Sequence, residues 1–148
     1  MSPALIHLVA GRWIGTPFSA NACVPGPQGG VSCQRLASAI YVEAGVLTAD
    51  VQIPAGRITR GRWHRISEIE PWLDGRREFV RTDPEGDVCA GDLLGFRIGH
   101  CISHLGVALG PAQFIHCLEG PGTVVSSLQD ATWLKRCAAR WRPVGGIG

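Results

Sequence analysis

The chain has 148 residues, 45% of them hydrophobic, and a formal net charge of +2. That length suits one domain of ordinary size, and that apolar fraction is ample for its core. A charge so near balance gives no case for nucleic-acid binding, and no apolar run approaches the length that spans a bilayer.

Residues 1–18 carry no basic segment ahead of an apolar core, and Arg12 interrupts the hydrophobic stretch that begins at Ala4. No targeting signal is read there, and the expectation is a chain that is cytoplasmic as synthesised. The first helix is expected over 3–13, followed by a Gly/Pro loop over 21–30. A glycine pair, Gly29-Gly30, then leads through Val31 and Ser32 into Cys33, which opens a run patterned like an amphipathic helix over 33–45. Cys33, Ala37, Ile40, Tyr41 and Ala44 share one stripe, with Leu36 beside it, and Gly45 is the expected stop. Cys33 then sits in the first turn, where unpaired backbone N–H groups and the positive dipole end favour a thiolate. Such a placement lowers a thiol's pKa and makes it nucleophilic at neutral pH. A structural cysteine is more often buried mid-element.

Residues 46–90 are the least patterned. They hold Pro54, Pro71 and Pro84, the aromatic anchors Trp63, Trp72 and Phe79, and the cluster Arg57, Arg60, Arg62, Arg65, Arg76, Arg77 and Arg81. A cluster of this kind is usually a solvated face, though it could attract an anionic polymer or an acidic partner. One short helical turn is expected over 67–73. Strands follow over 93–98, 104–109, 114–118, 123–128 and 139–144, with a brief helix over 129–136. Helices first and an antiparallel sheet afterwards imply an α+β fold, read as a single domain over 1–148.

The strand around Ser103-His104-Leu105-Gly106-Val107-Ala108-Leu109-Gly110 alternates with period two. Leu105, Val107 and Leu109 point one way; His104, Gly106 and Ala108 point the other. The histidine therefore shares a face with small residues, which is expected to leave room for a substrate. Gly110-Pro111-Ala112 is a hairpin-length turn that brings His116 near His104. A thiol, an imidazole and a third group that orients the imidazole form the general arrangement of nucleophilic catalysis. On this reading Cys33, His104 and His116 are the candidate catalytic residues, with His100 a rival base. His7 and His64 default to structural or surface roles. Cys101, His104, His116 and Cys117 concentrate ligand types, but they supply only one Cys-x-x-His pair, and adjacent His116 and Cys117 face opposite ways. No metal site and no organic cofactor are expected, and no phosphate-loop or dinucleotide motif is present. The six cysteines, Cys23, Cys33, Cys89, Cys101, Cys117 and Cys137, fit a reducing compartment with free thiols, Cys117 and Cys137 acting as small buried hydrophobes.

This order and local wording resemble the NlpC-type cell-wall peptidase family, in particular its phage-encoded tail members. The resemblance rests on Trp13-Ile14-Gly15-Thr16-Pro17-Phe18 ahead of the nucleophile and Ser32-Cys33-Gln34-Arg35-Leu36 around it. Gly91-Asp92-Leu93-Leu94-Gly95-Phe96-Arg97, the His104 strand and Phe114-Ile115-His116-Cys117 carry the rest, with Val124-Val125-Ser126-Ser127-Leu128 beyond. It implies a papain-like cysteine hydrolase with Cys33, His104 and His116 as its triad, acting on peptidoglycan-type peptides. Phage tail proteins are the partners it implies, and delivery with a virion or release on lysis is its route to a wall. It also implies that Phe18, Ser32, Gln34 and Gly106 border the substrate. The family usually has an acidic residue before the cysteine, small residues after it, and a tyrosine ending the leading segment. Here Ser32, then Gln34 and Arg35, and Phe18 stand at those places, which implies changed specificity or weakened activity. Alternatives kept open are a thiol amidase or acyltransferase on a non-wall substrate, and a tail-assembly protein without catalysis.

Overall fold

A computed structural model describes residues 2–55 and 67–144 of the chain. Arg57, Arg60, Arg62 and Arg65, with Trp63 and His64, lie outside the described residues. Helix α1 (Pro3–Gly11) begins with Pro3 in its first turn, where a missing N–H costs nothing, and Ser2 Oγ accepts the Leu5 N–H at 3.2 Å. It stops short of residue 13 because the N–H groups of Arg12 and Trp13 bond back three residues, to Val9 and Ala10. Helix α2 (Cys33–Glu43) buries Leu36, Ala37, Ser38, Ile40 and Tyr41, close to the expected stripe. Gly45 follows it at φ +79°, a left-handed conformation that glycine adopts without Cβ strain. A short α3 (Ile69–Asp74) buries Ile69 and Leu73.

The strands are β1 (Phe79–Thr82), β2 (Leu93–Ile98), β3 (Cys101–Ala108), β4 (Gln113–Leu118), β5 (Gly122–Ser127) and β6 (Cys137–Pro143), with α4 (Ala131–Arg136) before the last. They form one antiparallel sheet in the order β1-β6-β2-β3-β4-β5. β1 was not expected. Four residues give almost no periodic signal, and the strand exists because Phe79 to Thr82 pair with Pro143 to Arg140 of β6. β3 starts at Cys101 rather than 104, since Cys101 already pairs with Ile98 across a tight turn.

The sheet has two dissimilar faces. Leu93, Leu105, Val107, Ile115 and Trp141 pack with Ile6, Val9, Leu36, Ile40 and Tyr41 into the main core beneath α1 and α2. Each fully buried aliphatic side chain there contributes about 1.5–3 kcal/mol. Leu94, Phe96, Ala108, Phe114 and Leu128 form a smaller core on the opposite face, closed by Trp133 of α4. Helix α2 is tied to the sheet by the Tyr41 hydroxyl, which donates to Gly91 O at 2.7 Å. Just beyond, fully buried Asp92 takes both arms of Arg142, at 2.8 and 2.9 Å, and the Cys89 N–H at 2.9 Å. That pairing raises the Arg142 pKa further above its ordinary value. Among the described residues no helix is long and apolar enough to cross a membrane.

Candidate active site

β3 and β4 are laddered only at Val107–Ile115 and Ala108–Phe114, so they part toward the end that carries His104 and Cys117. Two ladder irregularities in β2, between Gly95 and Phe96 and between Phe96 and Arg97, bend the sheet at the same end. The first turn of α2 comes down onto that opening. Cys33, His104, Phe18, Ser32, Gln34, Cys117 and Glu119 line one cavity of about 480 Å³ there. Three sequence-expected substrate residues, Phe18, Ser32 and Gln34, thus lie beside the thiol.

Gly106 does not line this cavity, a correction to the sequence reading. A Cβ built on it would fall 2.8 Å from Phe114 Cδ2, 3.2 Å from Ile115 O and 3.3 Å from Phe96 Cε2. The small residues beside His104 therefore make room for aromatic rings of this protein and not for a substrate. The cavity opens instead where β3 and β4 separate.

His104 is 6% exposed and His116 is fully buried. His104 Nε2 and His116 Nδ1 are 2.8 Å apart, and His116 Nε2 lies 2.7 Å from Ser126 Oγ. With Nε2 engaged, Nδ1 is the His104 nitrogen left for a thiol. Trp133 stands edge-on to His116 with centroids 4.7 Å apart and tilts against His104 at 5.8 Å. Phe114 lies 4.6 Å from His116, and Phe96 5.8 Å from His104. This aromatic wall strips water from both imidazoles. Burial brings the His104 pKa down to about 4, helped by Arg136, which is stacked on Trp133. Burial and then neighbouring His104 hold His116 well below its ordinary value too. Both rings are neutral at neutral pH.

Cys33 also departs from the sequence expectation. Backbone N–H groups of Leu105, Gln34 and Cys33 itself favour the thiolate, so the helix-start effect is present. Burial outweighs them, and neighbouring Cys117 adds to it, so the thiol pKa is raised and not lowered. The thiol hydrogen bond is directed at Gln34 Oε1, 3.6 Å away. Ser32 holds the N-cap position without capping; its Oγ is buried without a hydrogen-bond partner among the described residues. Cys117, which lines the same cavity, donates to Val31 O at 3.2 Å.

The remaining candidates fall elsewhere. His7 Nε2 pairs with Leu109 O at 2.7 Å, a structural tie between α1 and the hairpin. Arg76 is bound to Glu78, and Arg81 reaches Glu70 and Asp74 at 3.1 and 2.9 Å, so these members of the arginine cluster serve ion pairs. None of the six cysteines is bonded to another. Among the described residues no three His, Cys, Asp or Glu side chains are grouped to hold a metal ion. Sequence reasoning missed Trp133 and Ser126. Trp133 sits in a six-residue helix with no visible partner pattern, and Ser126 has the look of an ordinary strand serine.

The NlpC/P60 family profile matches residues 25–142, most of the chain, including both histidine-bearing strands. The chain belongs to the NlpC/P60 family. It is 31% identical over 61 residues to the murein DD-endopeptidase MepS/murein LD-carboxypeptidase of Escherichia coli strain K12, a match over 41% of this chain and 32% of that protein. The same protein from Escherichia coli O157:H7 matches equally. The chain thus spans about a third of the curated relatives it matches. Among solved structures it resembles the NlpC/p60 domain of the peptidoglycan hydrolase SagA, at 22% identity and a TM-score of 0.61 over 95% of this chain and 97% of that one. A lipoprotein-like NLP/P60 family protein of Staphylococcus aureus subsp. aureus Mu50 gives 0.60 at 19% identity, over 93% and 40%. These NlpC/P60 structures share the α+β fold.

Proposed function

We propose that this NlpC/P60 chain is a cysteine hydrolase that cuts an amide bond in peptidoglycan stem peptides, with Cys33 as nucleophile, His104 as base and His116 as the group that orients the base. One observation carries the reading: Cys33 and His104 line a single cavity while the far nitrogen of His104 is bonded to His116. The E. coli relative named a murein endopeptidase supports the substrate class.

The resting pair is a neutral thiol and a neutral imidazole. The thiol turns from Gln34 toward His104, whose Nδ1 takes its proton as the sulfur attacks the carbonyl carbon. The electron pair displaced from the C=O bond moves to oxygen, where the Cys33 N–H stabilises it. Collapse of the adduct breaks the C–N bond, and the amine leaves with the proton from His104. Water then gives a proton to His104 and adds to the thioester; the sulfur leaves and regains that proton. Every step uses groups of this chain and water.

Specificity follows from what lines the cavity. Ser32 supplies no negative charge beside the sulfur, and Phe18 supplies no hydroxyl. An ion pair and a hydrogen bond in a partly desolvated site are together worth roughly a ten- to thousandfold rate ratio. The chain is expected to discriminate weakly in favour of free N-terminal amines and to accept amine-blocked or cross-linked stems. Purified peptidoglycan digested with the protein and analysed by mass spectrometry tests the reaction; products that also appear with Cys33→Ala would refute it. A strong preference in kcat/KM for free over N-acetylated stem peptides would assign amine recognition to Glu119, which borders the cavity. Asp130 is already committed to capping α4 through Thr132 N–H. The uncharged Ser32 also favours a second reading, in which an amine other than the wall's own replaces water and the thioester is transferred. Placement among the phage-tail-associated members, with delivery by a tail particle, extends the proposal and rests on the motif wording alone.

A further inference from the structure

We infer that Ser126 is a positioning residue of this site: its hydroxyl oxygen accepts the Nε2–H of His116 and thereby keeps the base nitrogen of His104 unprotonated. The inference rests on the proposed assignment of His104 as base and goes beyond it.

Ser126 reaches this position through the β4–β5 register. Phe114 faces Ser126 and His116 faces Val124, so Ser126 is the diagonal neighbour of His116 on one face of the sheet. The contacts run in a line, Ser126 Oγ to His116 Nε2 at 2.7 Å and His116 Nδ1 to His104 Nε2 at 2.8 Å. Each neutral imidazole carries one N–H, so a single proton lies between the two rings. Two arrangements satisfy the line. In the first, His104 donates from Nε2 to His116 Nδ1, and His116 donates from Nε2 to Ser126. In the second, Ser126 donates to His116 Nε2, His116 donates from Nδ1 to His104 Nε2, and the His104 proton sits on Nδ1.

Only the first leaves a lone pair on His104 Nδ1 for the thiol proton. Only the first also survives the reaction. Once protonated, His104 has N–H on both nitrogens, and its Nε2–H must meet a lone pair on His116 Nδ1. His116 therefore has to carry its proton on Nε2 throughout the cycle. In a fully buried ring that N–H needs an acceptor, because leaving it unpaired forfeits a hydrogen bond at a site water does not reach. Ser126 is that acceptor. Phe114 and Trp133 occupy the other sides of the ring and offer none. A hydroxyl suits the position for a further reason: being uncharged, it does not draw a second proton onto His116, whereas a carboxylate would.

Long-range proton–nitrogen NMR spectra of the imidazoles in the substrate-free protein at neutral pH read the arrangement directly. Wild type is expected to show His104 and His116 both protonated on Nε2. Ser126→Ala is expected to move the His116 proton to Nδ1 in a large share of molecules, and to lower kcat roughly ten- to hundredfold with KM little changed. Ser126→Thr, which keeps the hydroxyl, is expected to restore both. A wild-type His116 protonated on Nδ1 overturns the inference even if no variant folds, and so does a Ser126→Ala protein with unchanged ring protonation. Because ring protonation is read without substrate, a protein that cuts no murein would refute the proposed reaction and not this inference.

Discussion

The sulfur of Cys33 stands between a helix start that favours its charged form and surroundings that disfavour it. Three N–H groups and burial oppose one another at the same atom, and burial is the larger influence. In the free protein Cys33 is therefore expected to react with iodoacetamide at neutral pH more slowly than exposed Cys89. Mass-spectrometric mapping of the labelled thiols checks this, and Cys33 labelling first would show that the N–H groups win. Gln34 holds the thiol proton away from His104, so Gln34→Gly is expected to speed Cys33 alkylation about two- to tenfold, the worth of one modest hydrogen bond. His104→Ala should remove hydrolysis and leave the fold intact, since His104 borders a cavity. His116→Ala should reduce the rate less, because it acts through His104. Equal rates for wild type and His104→Ala on a confirmed substrate would end the triad assignment.

Helix α4 is short and almost wholly outside the main core, yet it sets the electrostatics of the pair it covers. Trp133 excludes water from both imidazoles, and Arg136 adds a nearby positive charge. Trp133→Ala is expected to let both pKa values rise toward 6.5, so that the acid limb of kcat/KM moves up from about pH 4. A pH profile that stays in place after this substitution would show that burial by the sheet alone is sufficient. Strand β3 has its own constraint at Gly106, where Phe114 and Phe96 close over the Cα. Gly106→Ala is expected to destabilise by about 1–3 kcal/mol through overpacking, and thermal unfolding measures it. Asp92→Ala would orphan the Cys89 N–H and release Arg142, which ties β6 to the start of β2. Arg142 is partly exposed, so the loss is discounted to about 2–3 kcal/mol.

At the scale of the whole molecule, the buried imidazole pair couples folding to pH. In the unfolded chain both histidines titrate near 6.5; in the folded protein His104 waits until about pH 4, and His116 is held down as well. Between those values the unfolded chain binds more protons, so the pair's contribution to stability is fully present above pH 6.5 and is lost as pH drops toward 4. Tm measured across this window is expected to decline in acid, and His116→Gln is expected to flatten the decline. A His116→Gln protein whose Tm follows wild type at every pH would show that His116 titrates normally in the fold.

Most of the chain's organisation was legible locally. The stripe through Leu36, Ala37, Ile40 and Tyr41, the stop at Gly45 and the alternation from Leu105 to Leu109 are short-range patterns, and each found its element in the structure. The order of a cysteine at a helix start before two histidines on neighbouring strands pointed to one site for the same reason. What the sequence could not carry were properties summed over distant segments. β1 exists only because β6, some sixty residues later, offers it an edge. The space expected over Gly106 turned out to be filled because Phe96 and Phe114 come from the two flanking strands. The raised thiol pKa, the water-free imidazoles and the Ser126 contact likewise depend on who the neighbours are in space. A sequence by itself determines where backbone elements start, stop and turn their apolar faces, since those follow from sterics and periodicity within a few residues. Tertiary structure alone decided which groups are stripped of water and which hydrogen-bond partners remain for them, because desolvation is set by every atom packed around a site.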